Sequence, residues 1–298
     1  MDQIQQCIAL GLRHARDVPA LLKLGLASGI AQRVFGVANG GEDFFLPHPA
    51  VVAAIVVARS AADVSVTRQA RVFRIVEELL ALQHGGAQFD LKRLVGITAG
   101  RTANYTGSFD ATDWCVGKDV LIIGPGDEAR TNKEKLEAFI RKHKPTVIGL
   151  GASSAVDSSL IDAIAVCHPE RAALEATALS QLTQPIFAPA KLLAELDIKV
   201  AQLRDVGIIT TDGTFTLAGN QVGLPRLLSA AYALAIAAQG GAKRIMIAGF
   251  DGFATDDHRF KEMDDVFQSF TQLMGSPHVV SITRTRYNVE RSSMSAPL

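Results

Sequence analysis

Apolar residues over the first 110 positions recur three and four apart, as in IQQCIALGLRHA, VPALLKLGLASGI, PAVVAAIVVARSAAD and VTRQARVFRIVEELLALQ. That spacing puts them on one face of a helix, so this part is predicted to be mainly helical. Gly40, Gly41, Pro47 and Pro49 break the pattern and mark a loop or a short strand pair. Residues 98–115, TAGRTANYTGSFDATDWC, keep no period and are rich in Thr, Gly, Asn and Ser, which reads as a linker. The expected division is therefore a mainly helical segment over residues 1–114 and a second region over 115–298.

From Lys118 the pattern changes. DVLIIGPG is a short apolar run stopped by glycine, the mark of a strand buried on both faces of a parallel sheet. NKEKLEAFIRKHK follows as an amphipathic helix, then TVIGLGAS and DAIAVCHP as strands, and PIFAPAKLL as a short strand and helix. VGIITTDGTFTL reads as strand and turn, LPRLLSAAYALAIAAQGG as a long buried helix, and AKRIMIAGFDG as another buried strand. HRFKEMDDVFQSFTQLM is the helix after it and HVVSITRTRY the last strand. Strands alternating with helices predict an α/β fold with a doubly wound, mostly parallel, Rossmann-like sheet.

Composition narrows the function classes. Thirty basic and thirty acidic residues cancel, so no whole-molecule field draws in nucleic acid or an anionic membrane. The three cysteines, Cys7, Cys115 and Cys167, lack metal-type spacing and fit reduced thiols. The first residues carry no secretory pattern, and the apolar windows near residues 50 and 227 are short or Ala-rich for a span of about 20 residues. A cytoplasmic protein without a membrane span is expected.

In parallel sheets ligands bind beyond the carboxyl ends of the strands, which makes the chemistry positional. Gly124-Pro125-Gly126 follows the first strand of the second region and precedes a helix, where bare backbone can approach a phosphate; a tight turn is the plain alternative. It is neither GxGxxG nor a Walker loop. Cys167-His168-Pro169 ends the third strand, with a ligand contact or a structural Cys and a surface His as its two readings. The densest group is Asp251, Asp256, Asp257, His258, Arg259 and Glu262 in IMIAGFDGFATDDHRFKE. His258 can act as a general base with a neighbouring aspartate setting its tautomer, or the group can simply cap and solvate the next helix. Adjacent aspartates point apart and no His-x-His pair is present, so no metal is expected.

Taken together, IIGPG after a strand, CHPER, AYALAIAAQGGAKRIMIAGFDGF with ATDDHR, and VSITRTRYN resemble the bacterial CMP-sialic acid-dependent sialyltransferase fold. The chain looks closer still to the sialyltransferase-like domain of two-part proteins whose other part is an aldolase-type barrel. The resemblance covers residues 115–298 and implies a GT-A-like domain that uses a CMP-activated ulosonic sugar as co-substrate, with no further cofactor. It implies inverting transfer to a glycan acceptor in cell-surface glycan assembly, with His258 as general base and Asp251, Asp257 and Tyr287 beside it. The resemblance puts the nucleotide against Gly124, Pro125 and Gly126 and a donor contact at Ser229; the further candidate substrate-binding residues are Ser153, His168, Gly249, Gly252, Arg259 and Arg286. Where the family's second strand ends in a donor-holding Asn, this chain offers Gly151 with Ser153 and Ser154. The other reading is a non-catalytic nucleotide-sugar-binding module that serves a partner aldolase or pairs with a second copy. A hydrolase working through His168 or His258 is disfavoured because no GxSxG elbow is present.

Overall fold

The computed structural model describes residues 103–295 apart from Asp256, and for His258 the backbone alone. These residues belong to one unit, Ile97–Leu298. The helices expected over residues 1–102 lie outside the described residues.

Eight strands form an all-parallel sheet: β2 (Asp119–Ile123), β3 (Thr146–Leu150), β4 (Ala163–Ala165), β5 (Ile186–Phe187), β6 (Leu203–Arg204), β10 (Arg244–Ala248), β11 (His278–Ser281) and β12 (Glu290–Arg291). Their order across the sheet is β12-β11-β10-β2-β3-β4-β5-β6. The chain thus steps outward from β2 to β6, returns to place β10 on the other side of β2, and steps outward again to β12. Its direction of travel reverses between β2 and β10.

The runs DVLII, TVIGL and RIMIA are buried almost throughout, as continuous apolar strands covered on both faces must be. Leu121, Ile123, Val147 and Met246 pack with Leu136, Phe139 and Ile140 of α2 (Lys133–His143), and with the short helices α1 (Asp127–Thr131), α3 (Pro169–Leu174), α4 (Ala176–Gln181) and α5 (Ala190–Glu195). Val120, Ile122, Ile148 and Ile247 face α6 (Ser229–Gln239) and α7 (His258–Thr271).

A second, mixed sheet covers the far side of α6. It orders β1 (Asn104–Tyr105), β7 (Gly207–Thr210), β9 (Gln221–Leu224) and β8 (Thr216–Ala218), with β7 and β9 parallel and the outer pairs antiparallel. Helix α6 touches β2, β3 and β4 on one side and β8 and β9 on the other, which is why SAAYALAIAAQ carries almost no polar face. Its alanines allow both sheets to approach. Tyr232 is buried there and donates its hydroxyl to the Val206 carbonyl at 2.6 Å.

Part of the stretch read as a linker is built into this unit. β1 pairs with β7, Ala103, Tyr105, Ala111 and Cys115 are buried, and the Trp114 indole donates to the Ile236 carbonyl at 3.0 Å. A two-residue strand is too short to leave a period in the sequence, and its partner lies a hundred residues away.

Candidate functional site

Register places the ends of β2 and β10 level, with Ile123 opposite Ala248. Gly124 and Gly249 therefore lie side by side where the strand order reverses. Gly124 donates its N–H to the Ala248 carbonyl at 2.8 Å, and Gly126 donates to the Gly249 carbonyl at 2.9 Å. A Cβ on Gly124 would stand 2.6 Å from the Gly249 carbonyl oxygen, and one on Gly126 would stand 2.5 Å from both that oxygen and Asp251 Oδ1. Gly249 has φ +71° and donates its N–H to Thr283 Oγ1 at 3.0 Å. Bare backbone is required here for two loops to cross closely, before any ligand is considered.

Asp251 joins three segments. Its Oδ2 accepts the Glu128 N–H at 3.0 Å at the start of α1, and its carbonyl accepts the Arg286 N–H at 3.0 Å. Its Oδ1 is buried with no hydrogen-bond partner among the described residues. A carboxylate thus takes the Glu128 N–H at the start of α1, a five-residue helix. Pro125 is exposed at the rim and has no N–H to offer. Gly252, at φ +88°, lies against Arg286, where a Cβ would come within 2.8 Å of the arginine Cβ. The Arg286 side chain is exposed and brings positive charge to this rim.

The continuation of the loop is held by its own contacts. Asp257 caps α7, accepting the Arg259 N–H at 2.9 Å, and pairs with the Arg259 guanidinium at 2.5 Å. That guanidinium lies 4.0 Å from the centre of the Phe253 ring. The capping reading of Asp257 is thus the one the structure realises. Tyr287 is buried, stacked on Phe260 at 5.4 Å between ring centres, and its hydroxyl lies by the Phe253 backbone amide. Burial pushes its pKa up to about 12, so it stays a neutral phenol that fixes the loop. His258 is the first residue of α7; its side chain and Asp256 lie outside the described residues.

The neighbouring strand ends carry a second group. Ser229, at the start of α6, accepts the Cys167 N–H at 3.4 Å. His168 precedes α3 and its Nδ1 lies 2.6 Å from Oε2 of the buried Glu170. Glu175 accepts the Ala152 N–H at 2.6 Å and pairs with Arg171 at 2.7 Å, shaping the turn at Gly151, where φ is +83°. Ser153 is exposed on that turn. The Cys167 thiol is fully buried and burial pushes its pKa up, which rules against a nucleophile there.

The structure therefore gathers Gly124, Pro125, Gly126, Gly249, Asp251, Gly252 and Arg286 at the reversal point, with Asp257, Arg259 and Tyr287 bracing the loop that follows. Ser153, His168 and Ser229 stand beyond the adjacent strands β3 and β4. Sequence reading missed Thr283, Glu170 and Glu175, whose roles arise from tertiary neighbours; only Glu170, two residues after His168, carried a local hint.

Away from these residues, a cleft of about 710 Å³ runs between α2 and the segment after β11. It shares Glu128 and Thr283 with the frame of the reversal-point group and contains none of the predicted site residues. Among the described residues no cluster of three or more His, Cys, Asp or Glu is placed to hold a metal ion, and no helix is long and apolar enough to cross a membrane. Comparison with protein-family models, with curated proteins and with solved structures finds no match.

Proposed function

We propose that residues 115–298 form a doubly wound, Rossmann-like nucleotide-sugar domain of the sialyltransferase type, binding a CMP-activated ulosonic sugar where the strand order reverses. The observation that carries this reading is the reversal between β2 and β10, with glycine-lined loops crossing at level strand ends and leaving the sheet in opposite directions. The nucleoside lies over the bare backbone at Gly124 and Gly249, and Arg286 meets the phosphate charge. In transfer, His258 takes the proton of the acceptor hydroxyl as its oxygen bonds to the anomeric carbon. The bond from that carbon to the phosphate oxygen breaks, and CMP leaves with the electron pair. Asp251 acts by holding α1 and the loop after β11 in place.

The second reading is the non-catalytic module that binds the nucleotide sugar for a partner aldolase or a second copy. Three observations favour it: Asp251 is committed to a backbone amide, Asp257 to Arg259, and Tyr287 to an aromatic stack. A product assay with CMP-sialic acid, run beside a CMP-binding measurement, separates the two. Transfer by the wild type that disappears in His258→Ala, with CMP binding kept, supports the enzyme. CMP binding without transfer leaves the module, and absence of both removes the proposal.

A further inference from the structure

The cleft beside α2 has a charge pattern that its helix makes plain. Lys133 and Arg141, on one side of α2, both pair with Glu137, at 3.9 and 3.0 Å. Lys135 and Lys142, seven residues apart and so on one face, line the cleft and have no carboxylate within 4.0 Å among the described residues. From the opposite wall Arg284 and Arg291 add two more cations. Arg284 likewise has no carboxylate partner among the described residues, and Arg291 donates to the Thr285 carbonyl. The one carboxylate in the lining, Glu128, is turned to the Asn132 amide at 3.2 Å. A chain whose charges cancel overall therefore concentrates four cations against one carboxylate in a single open groove. Between the cations the walls are hydroxyl-bearing, with Ser292, Ser293 and Ser295.

We propose that this cleft binds an acidic carbohydrate: a sugar chain or ring bearing several carboxylate or phosphate groups, with the cations meeting its acid groups and the hydroxyls meeting its own. The cationic walls would also suit nucleic acid, but the only aromatic ring in the lining, Phe139, is buried in the core and offers bases no stacking face. The inference stands independently of the donor site at the strand reversal.

The test uses the full chain and isothermal titration with three probes: a galacturonate hexamer, inositol hexakisphosphate and an oligothymidylate. Lys135→Gln/Lys142→Gln is compared with Lys199→Gln/Lys243→Gln, which removes the same charge at exposed positions outside the cleft. The cleft variant is expected to weaken the galacturonate or the hexakisphosphate by roughly 2- to 30-fold, because each exposed ion pair contributes up to about fivefold. The control variant should match wild type, and the cleft variant should show a shallower dependence on salt. Whichever of the two anions responds names the acid group. No binding of either anion, an equal loss in both variants, or tightest binding of the oligothymidylate overturns the proposal.

Discussion

Replacing Gly126 by Ala tests the packing on which the reversal-point site depends. Gly126 has φ −66° and ψ 154°, values that alanine adopts without strain, so any cost comes from the added methyl. That methyl would stand 2.5 Å from the Gly249 carbonyl oxygen and 2.5 Å from Asp251 Oδ1. Neither can withdraw freely, since the Gly249 carbonyl accepts the Gly126 N–H and Asp251 holds the Glu128 N–H. Overpacking of this kind costs about 1–3 kcal/mol, and a displaced Asp251 forfeits a charged hydrogen bond of about 1.5–3 kcal/mol. Together these give roughly 3 kcal/mol or more, which for a urea slope of about 3 kcal/mol/M moves the unfolding midpoint by about 1 M. Asp251→Ala removes one of the two obstacles, so Gly126→Ala should cost less in that background, and the two changes should fall short of additive. A Gly126→Ala protein with an unchanged midpoint would refute the close crossing of the two loops.

Other outcomes follow from the same contacts. Thr283→Val strands the buried Gly249 N–H and is expected to destabilise by about 1–3 kcal/mol in urea denaturation; a neutral result would remove Thr283 from the site's frame. Tyr287→Phe keeps the stack on Phe260 but loses the hydroxyl beside the Phe253 amide, for about 1 kcal/mol in the same assay, and a catalytic hydroxyl would instead show as lost transfer at unchanged stability. Burial pushes the Cys115 thiol from its ordinary 9.0 up to about 11. The folded state thus keeps a proton that the unfolded chain releases, so this contribution is intact below pH 9 and drains away as the pH climbs to about 11. The urea midpoint should fall between pH 8 and pH 10.5, and a flat or rising profile would contradict the buried thiol.

The central strands of the parallel sheet were legible because they are buried on both faces, whereas the edge strands β6 and β12, two residues each and largely exposed, left no such run. DVLII, TVIGL and RIMIA, each ended by glycine or by a polar turn, announce themselves without any tertiary information, and so does the all-apolar α6. The mixed sheet was legible only in VGIITTDGTFTL, which carries β7 and the start of β8; β1 has two residues and β9 four, too few for alternation to register, and β1 finds its partner a hundred residues along the chain. The candidate site divides the same way. Its glycines and Asp251 were visible as strand-end residues, yet their work became clear only when Gly124 met Gly249 and Asp251 met Glu128, more than a hundred residues apart in sequence. Asp257 shows the limit of local reading in the other direction, since an aspartate before a helix predicts a cap and a cap is what it forms.

The central claim is that a cytidine-activated sugar binds at the strand reversal. Its most direct test is thermal unfolding of the full chain with CMP, CDP, UDP, GDP and CMP-sialic acid, because a ligand that binds the folded state stabilises it by about 2.7 kcal/mol at a hundred times its Kd. The account predicts a rise in Tm with CMP and CMP-sialic acid that UDP and GDP do not produce, and that Arg286→Gln diminishes. Equal or absent shifts across the five nucleotides would contradict it.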